Sequence, residues 1–146
     1  MPTTSARRKK SKVSVQYAVP RRGVPGAASL RKWAALVPLD ATLRIVGARE
    51  GRRLNEVYRK KPYATNVLSF RYGKEHGDVV LCHPVIAQEA RAQGKALAAH
   101  YAHLVVHGLL HLRGYDHEKK REAERMERAE VRLLARAGFG NPYTVE

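Results

Sequence analysis

The segment 95–112 constrains the fold more than any other part of the chain, because it is apolar around almost the whole circumference of a helix. Such a helix is stable only when other elements cover it, which predicts a position in the middle of a small domain. The 146 residues and the 44% hydrophobic content are sufficient to build one core of this kind. No stretch approaches the roughly 18 consecutive apolar residues that a membrane span requires, so no membrane partner is expected.

The rest of the chain shows a mixture of strand and helix patterns. Alternating or β-branched apolar residues predict four strands, at 13–19, 42–48, 66–72 and 78–82, with the last two as a candidate hairpin. Helical spacing predicts further helices at 29–37, 50–59, 84–94 and 118–137. In the 50–59 helix we expect Leu54, Val57 and Tyr58 to face inward. We find no interdomain linker, so a single domain is expected over 13–146, preceded by a flexible basic tail at 1–12.

The formal net charge of +15 is concentrated in the first half of the chain. Residues 1–61 hold 16 Lys and Arg against three acidic residues, a net charge of +13, whereas residues 62–146 carry only +2. Such a surface concentrates polyanions, of which nucleic acid is the commonest in a cytoplasm, although it can also be a merely solubilising surface. Cys82 is the only cysteine, so it has no disulfide partner within the chain, and a reducing cytoplasmic location is expected.

Histidines are the candidate metal ligands. Four of them share the buried helix, namely His100, His103, His107 and His111. Positions 103, 107 and 111 cannot easily bind one ion, because the outer two are about 12 Å apart at about 1.5 Å per residue. A third ligand must come from chain that bends back. Gly114 can end the helix in the left-handed conformation and return His117 toward His107 and His111. Three neutral imidazoles with an open fourth position are typical of a catalytic zinc site.

The same spacing excludes one class of zinc enzyme. The offsets of His107, His111, Gly114 and His117 match those of the metzincin proteases, but Gly108 stands where those enzymes carry the Glu general base. This argues against proteolysis. Asp116 is placed either to orient an imidazole from outside the ligand set or to stabilise the turn. His103, like His100, is interpreted as a packing residue or as a hydrogen-bond partner behind the ligands. The alternative for all of them is a set of ordinary core histidines.

The motif His107-Gly-Leu-Leu-His-Leu-Arg-Gly-Tyr-Asp-His117 closely resembles the signature of the YbeY family, bacterial endoribonucleases that mature ribosomal RNA. Further blocks of that family are matched in order over residues 40–143: Leu54-Asn-Glu-Val-Tyr-Arg59, Thr65-Asn-Val-Leu-Ser-Phe70, Gly77-Asp-Val-Val-Leu-Cys82 and Gly138-Phe-Gly-Asn-Pro-Tyr143. The resemblance implies an α+β fold in which a four-stranded mixed sheet packs against a helical layer, with a buried central helix that bears the histidines. It also implies a metal cleft bordered by the third strand, zinc on the three histidines, and Arg59 as a catalytic residue facing that cleft.

Together these features predict a zinc-dependent endoribonuclease with one Zn²⁺ per chain. On this hypothesis it cleaves single-stranded RNA in ribosomal RNA maturation and ribosome quality control, with Arg59 stabilising charge on the phosphate. The expected partners are ribosomal RNA, the small ribosomal subunit and its assembly factors. Two alternatives remain: a non-catalytic ribosome-assembly factor with a structural zinc, and a metal-dependent hydrolase of another substrate. No residue in the sequence identifies the general base.

Overall fold

Four strands and five helices account for most of the residues that the computed structural model describes, which are 11–73 and 76–144. The strands are β1 (Val13–Tyr17), β2 (Asp40–Val46), β3 (Val67–Arg71) and β4 (His76–Cys82). The helices are α1 (Ala27–Ala34), α2 (Ala48–Arg59), α3 (His83–Gln93), α4 (Leu97–Leu112) and α5 (Lys120–Arg136). The expected α+β class is confirmed. Within these ranges, none of the helices has the length and apolar character needed to cross a membrane.

The strands form one mixed sheet in the order β1-β2-β4-β3. Strands β1, β2 and β4 run parallel, whereas β3 pairs antiparallel with β4. The predicted hairpin is therefore confirmed, and it places β3 at one edge of the sheet with Ser69 opposite Val79. Strand β2 starts two residues earlier than its pattern predicts and Gly47 caps α2 instead of continuing the strand.

The two faces of the sheet contribute to two separate apolar clusters. Leu43 and Val79 face the larger cluster, which also contains most of the buried side chains of α1, α4 and α5. Val80 and Cys82 belong to the smaller cluster on the other face, together with Leu54 of α2. The alternation follows from the two-residue period of a strand. The sheet is thus covered on both faces, with α4 packed on one face and α2 on the other.

Helix α4 is the central element, as its sequence predicts. Ten of its sixteen residues are buried, and they are distributed around the helix instead of along one stripe. It packs against α1, α3, α5 and the sheet, so its apolar surface is removed from water on several sides. This burial fixes the axis of the helix and therefore the positions of the histidines that it carries.

Helix α2 differs from its prediction. Val57 and Tyr58 are 56% and 63% exposed, whereas the sequence pattern placed them inward. The buried residues are Gly51 and Asn55, one helical turn apart. The backbone approaches the sheet so closely at Gly51 that a Cβ there would lie 2.9 Å from Sγ of Cys82. Leu54 packs against the smaller apolar cluster as predicted, whereas Gly51 and Asn55 form the rest of the inner face and Val57 and Tyr58 point outward.

The predicted basic tail falls almost entirely outside the described residues, since only its positions 11 and 12 lie within them. The backbone N–H of Lys12 donates to Oδ1 of Asp40 at 2.8 Å, and the N–H of Ala41 donates to the carbonyl oxygen of Lys12 at 3.0 Å. Pairing with β2 therefore begins at the last residue assigned to the tail. Whether 13–146 forms one independent domain stays a prediction.

Candidate metal centre and cleft

The C-terminal end of α4 brings the first two candidate ligands together. His107 and His111 are one helical turn apart, and their ring centroids are separated by 4.9 Å. The helix then ends because Gly114 adopts a φ of 100°, a conformation that costs little only for glycine. The N–H of Gly114 bonds to the carbonyl oxygen of His111, and the N–H of Tyr115 bonds to that of Leu110, both at 3.0 Å. These bonds satisfy the last carbonyl groups of the helix and reverse the chain.

The reversed chain returns His117 to the helix end. Its ring centroid lies 5.6 Å from that of His107 and 4.7 Å from that of His111. One ligand nitrogen from each of the three side chains lies within 4.8 Å of the other two, close enough to share a metal ion. The structure therefore brings together the three histidines that the sequence selected.

Asp116 holds the turn in place. Its Oδ1 accepts hydrogen bonds from the backbone N–H groups of His117 at 2.6 Å and Glu118 at 3.2 Å. These bonds, that of His117 first, lower the pKa of the Asp116 carboxyl below its usual value. Of the two roles left open by the sequence, the contacts support the stabilised turn, through which Asp116 fixes the backbone of His117.

The electrostatic environment keeps one histidine in the state that a metal requires. Burial, followed by the charges of His107 and His117, lowers the pKa of His111 to about 4. Its imidazole is therefore neutral at pH 7 and retains a free lone pair. Imidazole nitrogens are common ligands of Zn²⁺, so this set of three histidines fits the predicted ion.

Glu130 is the residue that the sequence analysis missed. It is fully buried on α5, and its Oε2 lies 2.7 Å from Nδ1 of His107. Burial alone raises the pKa of this carboxyl, but hydrogen bonds from His103, His107 and Tyr143 lower it to about 2. An ionised carboxylate only accepts hydrogen bonds, so Nδ1 of His107 carries the proton. The nitrogen left with a lone pair is Nε2, and Glu130 thereby fixes both the tautomer and the ring orientation.

The same carboxylate explains His103, which lies outside the three-histidine group. Tyr143 donates its hydroxyl hydrogen to Oε1 of Glu130, and Nε2 of His103 lies 3.1 Å from that hydroxyl. His103, His107 and Glu130 also have ligand atoms close enough to share an ion. The bond between His107 and Glu130 already satisfies two of those atoms, so we interpret this group as a hydrogen-bonded network. His103 therefore acts behind the candidate ligands, as one of its two predicted roles required.

The position of Gly108 has a packing explanation. A Cβ at this position would lie 2.7 Å from Cγ1 of Val79 and 3.2 Å from Oγ of Ser69. The Ser69 hydroxyl donates to the carbonyl oxygen of Gly108 at 2.9 Å, which ties α4 to the edge strand β3. Position 108 faces the sheet, so a glutamate there has no room. Packing of α4 against the sheet thus explains why glycine, and not the glutamate of the metzincins, occupies position 108.

The three histidines open into a cleft of about 610 Å³. Residues 65–71, which include β3, line it, as do Tyr58 and Arg59 at the end of α2. Arg59 is exposed, and its charge contributes to the lowered pKa of His111. The structure therefore places Arg59 and the third strand in the cleft in which the resemblance located them.

Comparisons with known proteins give a consistent result. The family model described as "Endoribonuclease YbeY" matches residues 26–138, a range that holds Arg59, the three histidines and Glu130. The relative from Stenotrophomonas maltophilia strain R551-3, "Endoribonuclease YbeY", is 49% identical and covers 92% of this chain and 94% of its own. A relative of the same name from Aromatoleum aromaticum is 57% identical over 82% of this chain and 81% of its own.

A solved structure supports the fold. The solution structure of TM1509 from Thermotoga maritima aligns with a TM-score of 0.58 and covers 90% of this chain and 99% of that chain. Because the two sequences are only 20% identical, this similarity supports the fold alone. The family assignment instead depends on the sequence matches. Because the family model spans most of the described fold and the two relatives match over 94% and 81% of their own lengths, this chain belongs to the YbeY endoribonuclease family.

Proposed function

We propose that the chain is a zinc-dependent endoribonuclease that cleaves single-stranded RNA, with one Zn²⁺ held by His107, His111 and His117. The observation that carries this proposal is the convergence of three imidazoles in a cleft that is also lined by Arg59. When bound there, zinc supplies Lewis-acid polarisation of a phosphoryl oxygen and lowers the pKa of water toward about 7. The name shared by the relatives supports RNA as the substrate.

Residues around the metal site have separate roles in the proposed reaction. Glu130 holds His107 with its Nε2 directed away from the carboxylate, so that the imidazole is ready to bind without changing tautomer. The guanidinium of Arg59 binds phosphate oxygens through two parallel N–H groups, which stabilises charge that develops during cleavage. Gly108 contributes no base, so proton removal from the nucleophile does not depend on a side chain at that position.

The setting that we propose is ribosomal RNA maturation and ribosome quality control in the cytoplasm, with the small ribosomal subunit and its assembly factors as partners. The family and the basic first half of the chain support this setting, since a net charge of +13 over residues 1–61 favours binding to RNA. The single cysteine is consistent with a reducing compartment.

Cleavage of a labelled single-stranded RNA tests the proposal, with zinc content measured on the same preparations. We expect His111→Ala to lose both bound zinc and activity. We expect Arg59→Ala to keep its zinc while cleavage slows by about 100-fold or more, in the range seen when one charge-stabilising donor is removed. Arg49→Ala is the matched control, because Arg49 is an exposed cation at the other end of α2 and does not line the cleft.

Three results would contradict the proposed function or favour one of the alternatives. Wild-type cleavage rates from both variants, with folding matched, would refute the nuclease mechanism. Zinc-loaded protein that leaves RNA intact would favour a hydrolase of another substrate. Cosedimentation with small ribosomal subunits that survives Arg59→Ala, without any cleavage, would favour an assembly factor with a structural zinc.

A further inference from the structure

An exposed aromatic pair lies in the same cleft as the histidines. Tyr58 at the end of α2 is 63% exposed, and its ring centroid lies 5.0 Å from that of Phe70 on β3, with the ring planes at 65°. Both side chains line the cleft together with His107, His111 and His117. This edge-to-face arrangement is favourable for two aromatic rings, and it leaves most of the Tyr58 ring open to solvent.

Packing of the fold does not account for Tyr58. Phe70 is partly buried against the smaller apolar cluster, which fixes its position on the edge strand. Tyr58 packs edge-to-face against that fixed ring, while α2 is anchored elsewhere by Gly51 and Asn55. Within residues 11–73 and 76–144, the Tyr58 hydroxyl forms no hydrogen bond. A large aromatic side chain is thus held in position with most of its surface exposed to solvent.

Cations stand beside this pair. Two cationic residues also line the cleft: Arg59, which ends α2 directly after Tyr58, and Arg71, which ends β3 and whose Nε donates to the carbonyl oxygen of Gly73 at 2.8 Å. Aromatic rings that accept stacked bases, next to cations that hold the phosphates, are the recurring elements of sites for single-stranded nucleic acid. Bases in a duplex are already stacked and paired, and they cannot occupy such a site without being unstacked.

We infer that Tyr58 and Phe70 form a base-stacking site, which holds one unpaired base of the RNA next to the phosphate in the histidine cleft. The inference rests on the proposed function and deepens it, because it assigns the preference for single strands to two named side chains. Tyr58 provides the open ring and Phe70 supports it. The site needs only aromatic surface, so it accepts any of the four bases.

Binding to the metal-free protein tests the site separately from catalysis. The probe is a short single-stranded RNA that carries 2-aminopurine, whose fluorescence is quenched when it stacks on an aromatic ring. We expect Tyr58→Ala to weaken binding by about 5- to 100-fold and to abolish the quenching, in line with the usual contribution of one stacked base. Tyr58→Phe retains the ring and should bind within about twofold of wild type.

Tyr63→Ala is the matched control, because Tyr63 is 54% exposed in the loop after α2 and does not line the cleft. It should leave binding and quenching unchanged, and the same probe annealed to its complement should bind without quenching. Equal binding and quenching by wild type, Tyr58→Ala and Tyr63→Ala would overturn the inference, whatever the cleavage assay gives.

Cleavage kinetics of the zinc-loaded protein provide a second test. Tyr58→Ala should raise KM much more than it lowers kcat, and an effect on kcat alone would contradict a binding role. If the zinc-loaded protein does not cleave RNA but still quenches the probe in a way that depends on Tyr58, the proposed nuclease function would be refuted and the stacking site would be supported.

Discussion

The Glu130→Gln substitution tests how much the metal centre depends on the carboxylate behind it. Gln has almost the shape of Glu, but it replaces one acceptor oxygen by an NH₂ group. In the native chain, the ionised carboxylate accepts from Nδ1 of His107 at 2.7 Å and from the Tyr143 hydroxyl. If the amide NH₂ faces His107, Nδ1 must become the acceptor, and the ring proton then moves to Nε2. That is the nitrogen required for zinc.

The expected magnitude follows from this tautomer change. A hydrogen bond to a charged group contributes about 1.5–3 kcal/mol, and loss of a carboxylate partner behind a metal-binding histidine weakens metal affinity about 10- to 100-fold. We therefore expect the Kd for zinc to rise by that factor in Glu130→Gln. Stability of the metal-free protein should change less, since a neutral isostere also removes the cost of burying a charge.

Competition with a chromophoric zinc chelator at pH 7.5 measures the affinity, and urea unfolding in EDTA verifies that the metal-free variant is folded. Glu124→Gln is the matched control, because Glu124 lies on the exposed face of the same helix. Tyr143→Phe, which removes one of the donors to Glu130, should weaken zinc binding in the same direction by a smaller factor. A zinc Kd for Glu130→Gln within twofold of wild type would refute the orienting role.

Three further predictions concern the packing, the turn and the pH dependence of the site. Gly108→Ala should lower the free energy of unfolding, measured by urea titration, by up to about 2 kcal/mol, because the new Cβ would lie 2.7 Å from Val79 and this clash outweighs the higher helix propensity of alanine. Gly140→Ala is the control and should be nearly neutral, because the space around Gly140 is open. Asp116→Ala should weaken zinc binding while Asp116→Asn, which keeps an oxygen acceptor, should stay near wild type in the chelator assay; equal loss in both would contradict the turn-holding role. Since the pKa of His111 falls to about 4 in the folded chain, the unfolded state binds more protons between pH 6.5 and 4, so the metal-free protein should lose stability as the pH falls through that window. Urea midpoints of His111→Gln should decline less steeply there, and parallel curves for the two proteins would contradict the assignment.

The sequence predicts local geometry well where the determinants lie close together in the chain. The approach of His107, His111 and His117 depends on one helical turn and one glycine, all within eleven residues. The hairpin of β3 and β4 is local in the same sense. Parallel pairing of β2 between β1 and β4 could not be read from the strand patterns, because it depends on contacts between distant segments.

The unpredicted features share the same cause. Glu130 falls on the apolar stripe of α5, between Ala129 and Leu133, so its burial could be inferred from helical periodicity. Its partners could not, since His107 and Tyr143 come from elements 23 residues before it and 13 residues after it. The outward position of Tyr58 has a similar origin. Periodicity marked it as a core residue, but a close approach of α2 to the sheet at Gly51 decided which face is buried.

The charges of the cleft indicate how binding and chemistry are divided. Of its ionic side chains other than histidine, two are cationic, Arg59 and Arg71, and two are anionic, Asp116 and Glu118. The protein part of the cleft is therefore close to neutral, and on the proposed function the positive charge at the reacting phosphate comes mainly from the metal. Most of the excess of cations falls in the first 61 residues, and among the described residues of that half Arg59 is the only cation that lines this cleft. On the proposed function, affinity for a polyanion is thus assigned mainly to the basic first half of the chain, where salt screens it, whereas the chemistry is assigned to the three histidines and their metal, where salt has less effect.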